Sequence, residues 1–172
     1  MSGPTLVVGL GNPLMTDDGI GLAALERLRE AWDPAPETGV ELVDGGTWGL
    51  FLLPEIERAS QVIFLDAIRA GAAPGAVVEL EREEIPRALD ATGLSVHQIG
   101  LRDLVALATI RGTLPARTVA IGIQPDRVEM GAEISAVAAL ALDAVVERAL
   151  ARLASWGIAV PTRTGEEAAC TR

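Results

Sequence analysis

Short apolar runs alternate with amphipathic stretches along the whole chain. Thr5 to Leu10 (TLVVGL) is β-branched and apolar, the pattern of a strand buried on both faces of a parallel sheet. From Gly19 to Trp32 the apolar residues Leu22, Leu25, Leu28 and Trp32 recur at helical spacing, with Glu26, Arg27, Arg29 and Glu30 on the other side, and Pro34 and Pro36 end the helix. A second strand is predicted over Val40 to Gly46, then a short helix over Leu50 to Ala59 with a proline in its first turn or at a break. Gln61 to Ile68 (QVIFLDAI) is the strongest strand signal and is expected at the sheet centre. Gly75 to Leu80, followed by Glu81, Glu83 and Glu84, reads as an edge strand with exposed acids. After the loop TGLSVHQIG, Leu101, Leu104, Val105 and Ala108 predict a helix over Leu101 to Ile110. Arg117 to Ile123 is the last strand, and Ile134 to Trp156 a long Ala/Leu helix. Strands alternating with helices predict an α/β layered sheet with helices on both faces.

Composition adds limits to that picture. The chain has 172 residues, of which 49% are apolar, enough for one full core. The expectation is a single domain over residues 1–160 and a disordered tail over 161–172. No apolar run reaches the length of a membrane span, and no basic segment precedes the first one, so neither a membrane partner nor a secretory signal is expected and a cytoplasmic location follows. Cys170, the lone cysteine, lies in the polar tail and cannot form a disulfide within the chain. A formal net charge of −10 repels a phosphate backbone, and the basic residues are scattered among acids, so no nucleic-acid partner is expected.

Ligands of open α/β sheets bind beyond the carboxyl ends of the strands. Asp17 and Asp18 follow the first strand, Asp44 ends the second, Asp66 lies near the end of the third, and His97, the single histidine, sits in a loop before a helix. Any one of these acids alone reads as a helix cap or turn residue; their coincidence at glycine-flanked strand ends points to a shared crevice. The opening GLGNPL puts Leu14 where a dinucleotide fingerprint needs its third glycine, and neither a phosphate-binding Gly-Lys-Ser/Thr nor a G-x-S-x-G elbow occurs. Two carboxylates and one imidazole do suit a divalent transition metal.

Two family resemblances follow from the motifs. VVGLGNP, Val7 to Pro13, resembles the start of peptidyl-tRNA hydrolases, but that family continues into a Thr-Arg-His-Asn stretch with the catalytic histidine, whereas this chain reads LMTDDGIG. The second covers about Leu6 to Ala151: GLGNPLMTDDGIG, DGGTWG, VIFLDAI, SVHQIGLRDLV and IGIQP occur in the order and rough spacing of the nickel-iron hydrogenase maturation proteases, leaving the linker from Asp33 to Thr38 and the tail outside. This resemblance implies a three-layer α/β/α fold, phosphorylase/hydrolase-like, with a twisted, mostly parallel sheet of about five strands. It implies an endopeptidase that removes the C-terminal extension of the hydrogenase large-subunit precursor after nickel insertion. Nickel carried by the substrate would be recognised, with no permanent cofactor. The residues it assigns to the metal are Asp18, Asp66 and His97; with Asp18 and Asp66, Asp44 is implied in catalysis, as the candidate base. Asp17 is read as a cap for the first helix. The alternative functions are a peptidyl-tRNA hydrolase-like enzyme and a non-catalytic nickel-sensing maturation chaperone.

Overall fold

The computed structural model describes residues 3–90 and 99–161. Five strands form one sheet: β1 (Thr5–Leu10), β2 (Val40–Gly46), β3 (Gln61–Ala67), β4 (Val77–Glu81) and β5 (Arg117–Ile123), in the order β2-β1-β3-β5-β4. The pairs β1·β2, β1·β3 and β3·β5 are parallel, and β4 closes one edge antiparallel to β5. The predicted strand QVIFLDAI is the central one and the predicted edge strand is an edge. Every residue of β1 is buried, as a strand covered on both faces requires.

Alternation along the strands sorts the core into two halves. Val7, Ile63, Leu65, Val119 and Ile121 face α1 (Ile20–Ala31) and, packed beside it, α5 (Ala136–Ser155). Leu6, Val8, Val62, Phe64 and Ala120 face the other way, toward α2 (Leu53–Arg58) and α4 (Ile99–Ile110). Leu101, Leu104, Val105 and Ala108, the helical stripe read from the sequence, are all buried on that side. Helices therefore cover both faces, as an α/β/α layering demands.

Three local differences have simple causes. Leu22 is only half-buried, because Ile20, Ala24, Leu25 and Leu28 present a tighter stripe to the sheet. The chain enters α2 through a single 3-10 turn, Gly49–Leu52, with Pro54 in the first turn of the helix where its missing N–H costs nothing. The acids after β4 do not all belong to a solvated edge: Glu84 opens α3 (Glu84–Asp90), and its carboxylate accepts the Glu81 N–H at 2.8 Å. His97 and the tail beyond Pro161, Cys170 included, lie outside the described residues.

The edge strand is fastened to α5 by charge. Arg148 donates to Glu79 at 2.8 Å, Arg152 Nε donates to Glu79 at 2.9 Å, and Arg152 also pairs with Glu81. Burial raises the Glu79 carboxyl, but the arginine hydrogen bonds outweigh it and hold the group below its ordinary value. A carboxylate whose folded pKa is depressed contributes stability above its unfolded value and loses it as pH falls through the folded one. Glu79→Gln should lower the melting temperature at neutral pH by the equivalent of about 1.5 kcal/mol, roughly 3–6 °C for a chain of this size. At pH 3 the difference should shrink; a deficit of equal size at both pH values would refute the assignment.

Candidate functional site

Strand order brings the carboxyl ends of β2, β1 and β3 side by side. Gly9 of β1 is level with Asp44 of β2 and with Leu65 of β3, so Asp44 and Asp66 flank the end of β1. Two strand spacings, about 10 Å, separate the backbones of β2 and β3.

The loop from β1 to α1 crosses between them and is built for close approach. Gly11 has φ +118°, and a Cβ there would lie 1.8 Å from the Asp18 carbonyl oxygen. A Cβ on Gly21 would meet the carbonyl oxygens of Leu65 at 2.2 Å and Leu10 at 2.3 Å, so only glycine lets the first turn of α1 rest on the ends of β1 and β3. The glycines of GLGNP and GIG thus set Asp18 beside Asp66. The Asn12 N–H donates to Asp18 Oδ2 at 3.0 Å and the Leu14 N–H to Asn12 Oδ1 at 3.0 Å, which fixes the Asp18 carboxylate.

Asp17 does something else, and the expectation that it caps the first helix is corrected. Neither the 3-10 turn Thr16–Gly19 nor α1 has a side-chain cap. The buried Asp17 carboxylate turns away to the segment after β5, accepting the N–H groups of Asp126 at 2.8 Å, Arg127 at 3.2 Å and Ser135 at 2.6 Å, and the Ser135 hydroxyl at 2.8 Å. Burial raises this carboxyl, yet the four donors together hold it below its ordinary value. Ser135 in turn caps α5, accepting from Ala138 N–H. Thr16, at φ +41°, completes the latch: its hydroxyl donates to the Arg127 carbonyl and accepts the Glu129 N–H, both at 3.1 Å.

Asp66 is half-buried. Loss of water is the largest effect on its carboxyl and the neighbouring charge of Asp18 adds to it, against the Ala67 N–H at 2.8 Å; the group is pushed up to about 7. Asp18 and Asp66 are therefore in one another's field. Asp44 is exposed at the neighbouring strand end. Among the described residues no three His, Cys, Asp or Glu side chains form a group that could hold a metal ion. His97, the third expected ligand, lies outside the described residues, so the described site consists of two opposed carboxylates with a third at the next strand.

Residue reading missed Thr16, Ser135 and Gln124 as organisers of this edge. The Gln124 side chain accepts from the Ala70 and Ala72 N–H groups at 2.9 and 3.2 Å, shaping the loop that follows β3. Its place one residue past the last strand was the available signal.

Comparison with known proteins places these features in context. A family model described as hydrogenase maturation protease matches residues 23–152. The chain is 38% identical over 156 residues to the hydrogenase expression/formation protein HupD of Rhodobacter capsulatus, spanning 90% of this chain and 73% of that protein. It is 34% identical over 158 residues to the hydrogenase 2 maturation protease of Escherichia coli strain K12, spanning 91% and 94%. The solved structure of the hydrogenase maturating endopeptidase HybD from E. coli superposes with a TM-score of 0.81 at 31% identity, covering 90% of this chain and 94% of that one.

The opposed carboxylates make a prediction for the metal-free protein. Between the ordinary aspartate value of 3.8 and about 7 the folded state binds more protons at Asp66 than the unfolded chain does. Stability contributed by this group therefore falls as pH rises through that window. Asp66→Asn, which keeps the acceptor for Ala67 N–H but cannot ionise, should raise the melting temperature at pH 8 and bring no comparable gain at pH 4. Calorimetry showing the same difference at both pH values would contradict the placement of this carboxyl.

Proposed function

The chain belongs to the hydrogenase maturation proteases, and from that premise we propose that it removes the C-terminal extension of a nickel-iron hydrogenase large-subunit precursor once nickel has been inserted. The observation that carries this reading is the Asp18 and Asp66 pair. Both lie at the carboxyl ends of neighbouring strands, and Asp66, pushed up to about 7 first by loss of water and then by the charge of Asp18, is a carboxyl that a cation would draw back to its ionised form. Nickel in this reading is the substrate's cargo, contacted by Asp18, Asp66 and His97. Three protein ligands leave coordination positions for groups that the precursor brings, so the enzyme holds no metal of its own.

Asp44 is the proposed base. It is exposed at the end of β2, with β1 between it and the strand that carries Asp66. It would take the proton of a water whose oxygen attacks the scissile carbonyl; as the C–N bond breaks, that proton goes to the departing amine. The non-catalytic chaperone reading shares the recognition step and differs in releasing no peptide.

The test incubates metal-free protein, in the presence of a chelator, with nickel-loaded and nickel-free precursor and follows peptide release by mass spectrometry. Loaded precursor should be cut and empty precursor left intact. Asp18→Ala, Asp66→Ala and His97→Ala should each lose release while keeping a cooperative thermal transition. Equal cutting of both precursors would end the gating idea. Binding without release would favour the chaperone, and cutting restored only by adding metal to the protein would make it an ordinary metalloprotease.

A further inference from the structure

Large apolar side chains stand exposed on the loops at the carboxyl edge of the sheet, the edge that carries the acid pair. Leu14 on the loop after β1 is 67% exposed, Trp48 and Phe51 on the loop after β2 are 62% and 85%, and Met130 on the loop after β5 is 89%. All three loops leave the carboxyl ends of parallel strands, the same edge that carries Asp18 and Asp66. Backbone hydrogen bonds brace these loops and join them to one another. Gly131 N–H donates to the Leu14 carbonyl at 2.9 Å, beside the Met15–Gly131 bridge, and Gly11 N–H donates to the Gly46 carbonyl at 3.0 Å. Trp48 N–H donates to Gly45 at 2.9 Å and Phe51 N–H to Trp48 at 3.1 Å.

Exposed apolar side chains grouped at one edge of the sheet beside carboxylates mark a contact surface. The carboxylates decide what covers it. A second copy of this chain, already at a net charge of −10, would set carboxylates against carboxylates, which is unfavourable. The complement is a protein face that is apolar around a cationic centre.

We propose that Leu14, Trp48, Phe51 and Met130 form a docking rim that takes apolar surface of the hydrogenase large-subunit precursor around its metal centre. The proposal rests on the nickel-gated reading above. It adds that affinity comes from the rim while the carboxylates supply discrimination. Aromatic anchors dominate contacts of this kind, so Trp48 and Phe51 should matter most.

The experiment measures peptide release from nickel-loaded precursor over a range of precursor concentrations. The proteins are the unaltered chain, Trp48→Ser, Phe51→Ser, Met130→Ser and, as control, Ile110→Ser, an exposed apolar residue at the far end of α4. Thermal unfolding verifies that each variant folds. Trp48→Ser and Phe51→Ser should raise KM by about tenfold, with a much smaller change in kcat, and Ile110→Ser should behave as the unaltered chain. Unchanged KM in the rim variants, beside normal release by the unaltered chain, overturns the rim and leaves the protease reading intact. Equal loss in Ile110→Ser, or a dimer in sedimentation that the rim variants dissolve, also overturns it. If the unaltered chain releases no peptide from loaded precursor, the reading beneath the rim falls and the rim with it.

Discussion

The carboxyl edge of the sheet is organised by the buried Asp17 carboxylate. Its four donors come from residues 126, 127 and 135, more than a hundred positions along the chain. A hydrogen bond to a charged acceptor contributes about 1.5–3 kcal/mol, and here the same group satisfies two loop N–H groups and the start of α5. Thr16 adds two further bonds to the same segment. The first and last loops of the parallel sheet are thereby joined into one wall, and the adjacent acid is turned the other way.

That division of labour explains why two aspartates stand in sequence. Asp17 is spent on architecture, which leaves Asp18 facing Asp66 with its orientation set by the Asn12 N–H. Asp66 is pushed up to about 7, first by loss of water and then by the charge of Asp18. Structural carboxylates elsewhere in the protein behave in the opposite manner: Glu79, Glu41 and Glu57 each meet an arginine and are held below their ordinary values. Asp66, at a strand end, is held above its ordinary value instead, a perturbation in which functional carboxyls are enriched.

Much of this was legible in the sequence. Strand periodicity located all five strands, and the apolar stripe Leu101, Leu104, Val105 and Ala108 found the buried face of α4. The strand-end positions of Asp44 and Asp66 followed from the same runs. What residue patterns could not show was long-range: the turn of Asp17 toward Ser135 joins positions 118 apart, and local propensity offered a helix cap there instead. Helix α3 was hidden because its acids resemble those of a solvated edge, and its Pro86 suits a first turn as well as a loop. The rim of Leu14, Trp48, Phe51 and Met130 was invisible for a related reason, since exposed and buried apolar residues look alike until the loops are placed.

The central claim is that Asp18 and Asp66 meet the metal of the incoming substrate. Nickel K-edge X-ray absorption on loaded precursor, alone and mixed with the protein carrying Asp44→Asn to hold back cleavage, tests it most directly. The account predicts that mixing adds light oxygen or nitrogen ligands to the nickel and that Asp18→Ala or Asp66→Ala removes one of them. A nickel spectrum unchanged on mixing, in a sample where complex formation is verified by co-elution, would contradict it.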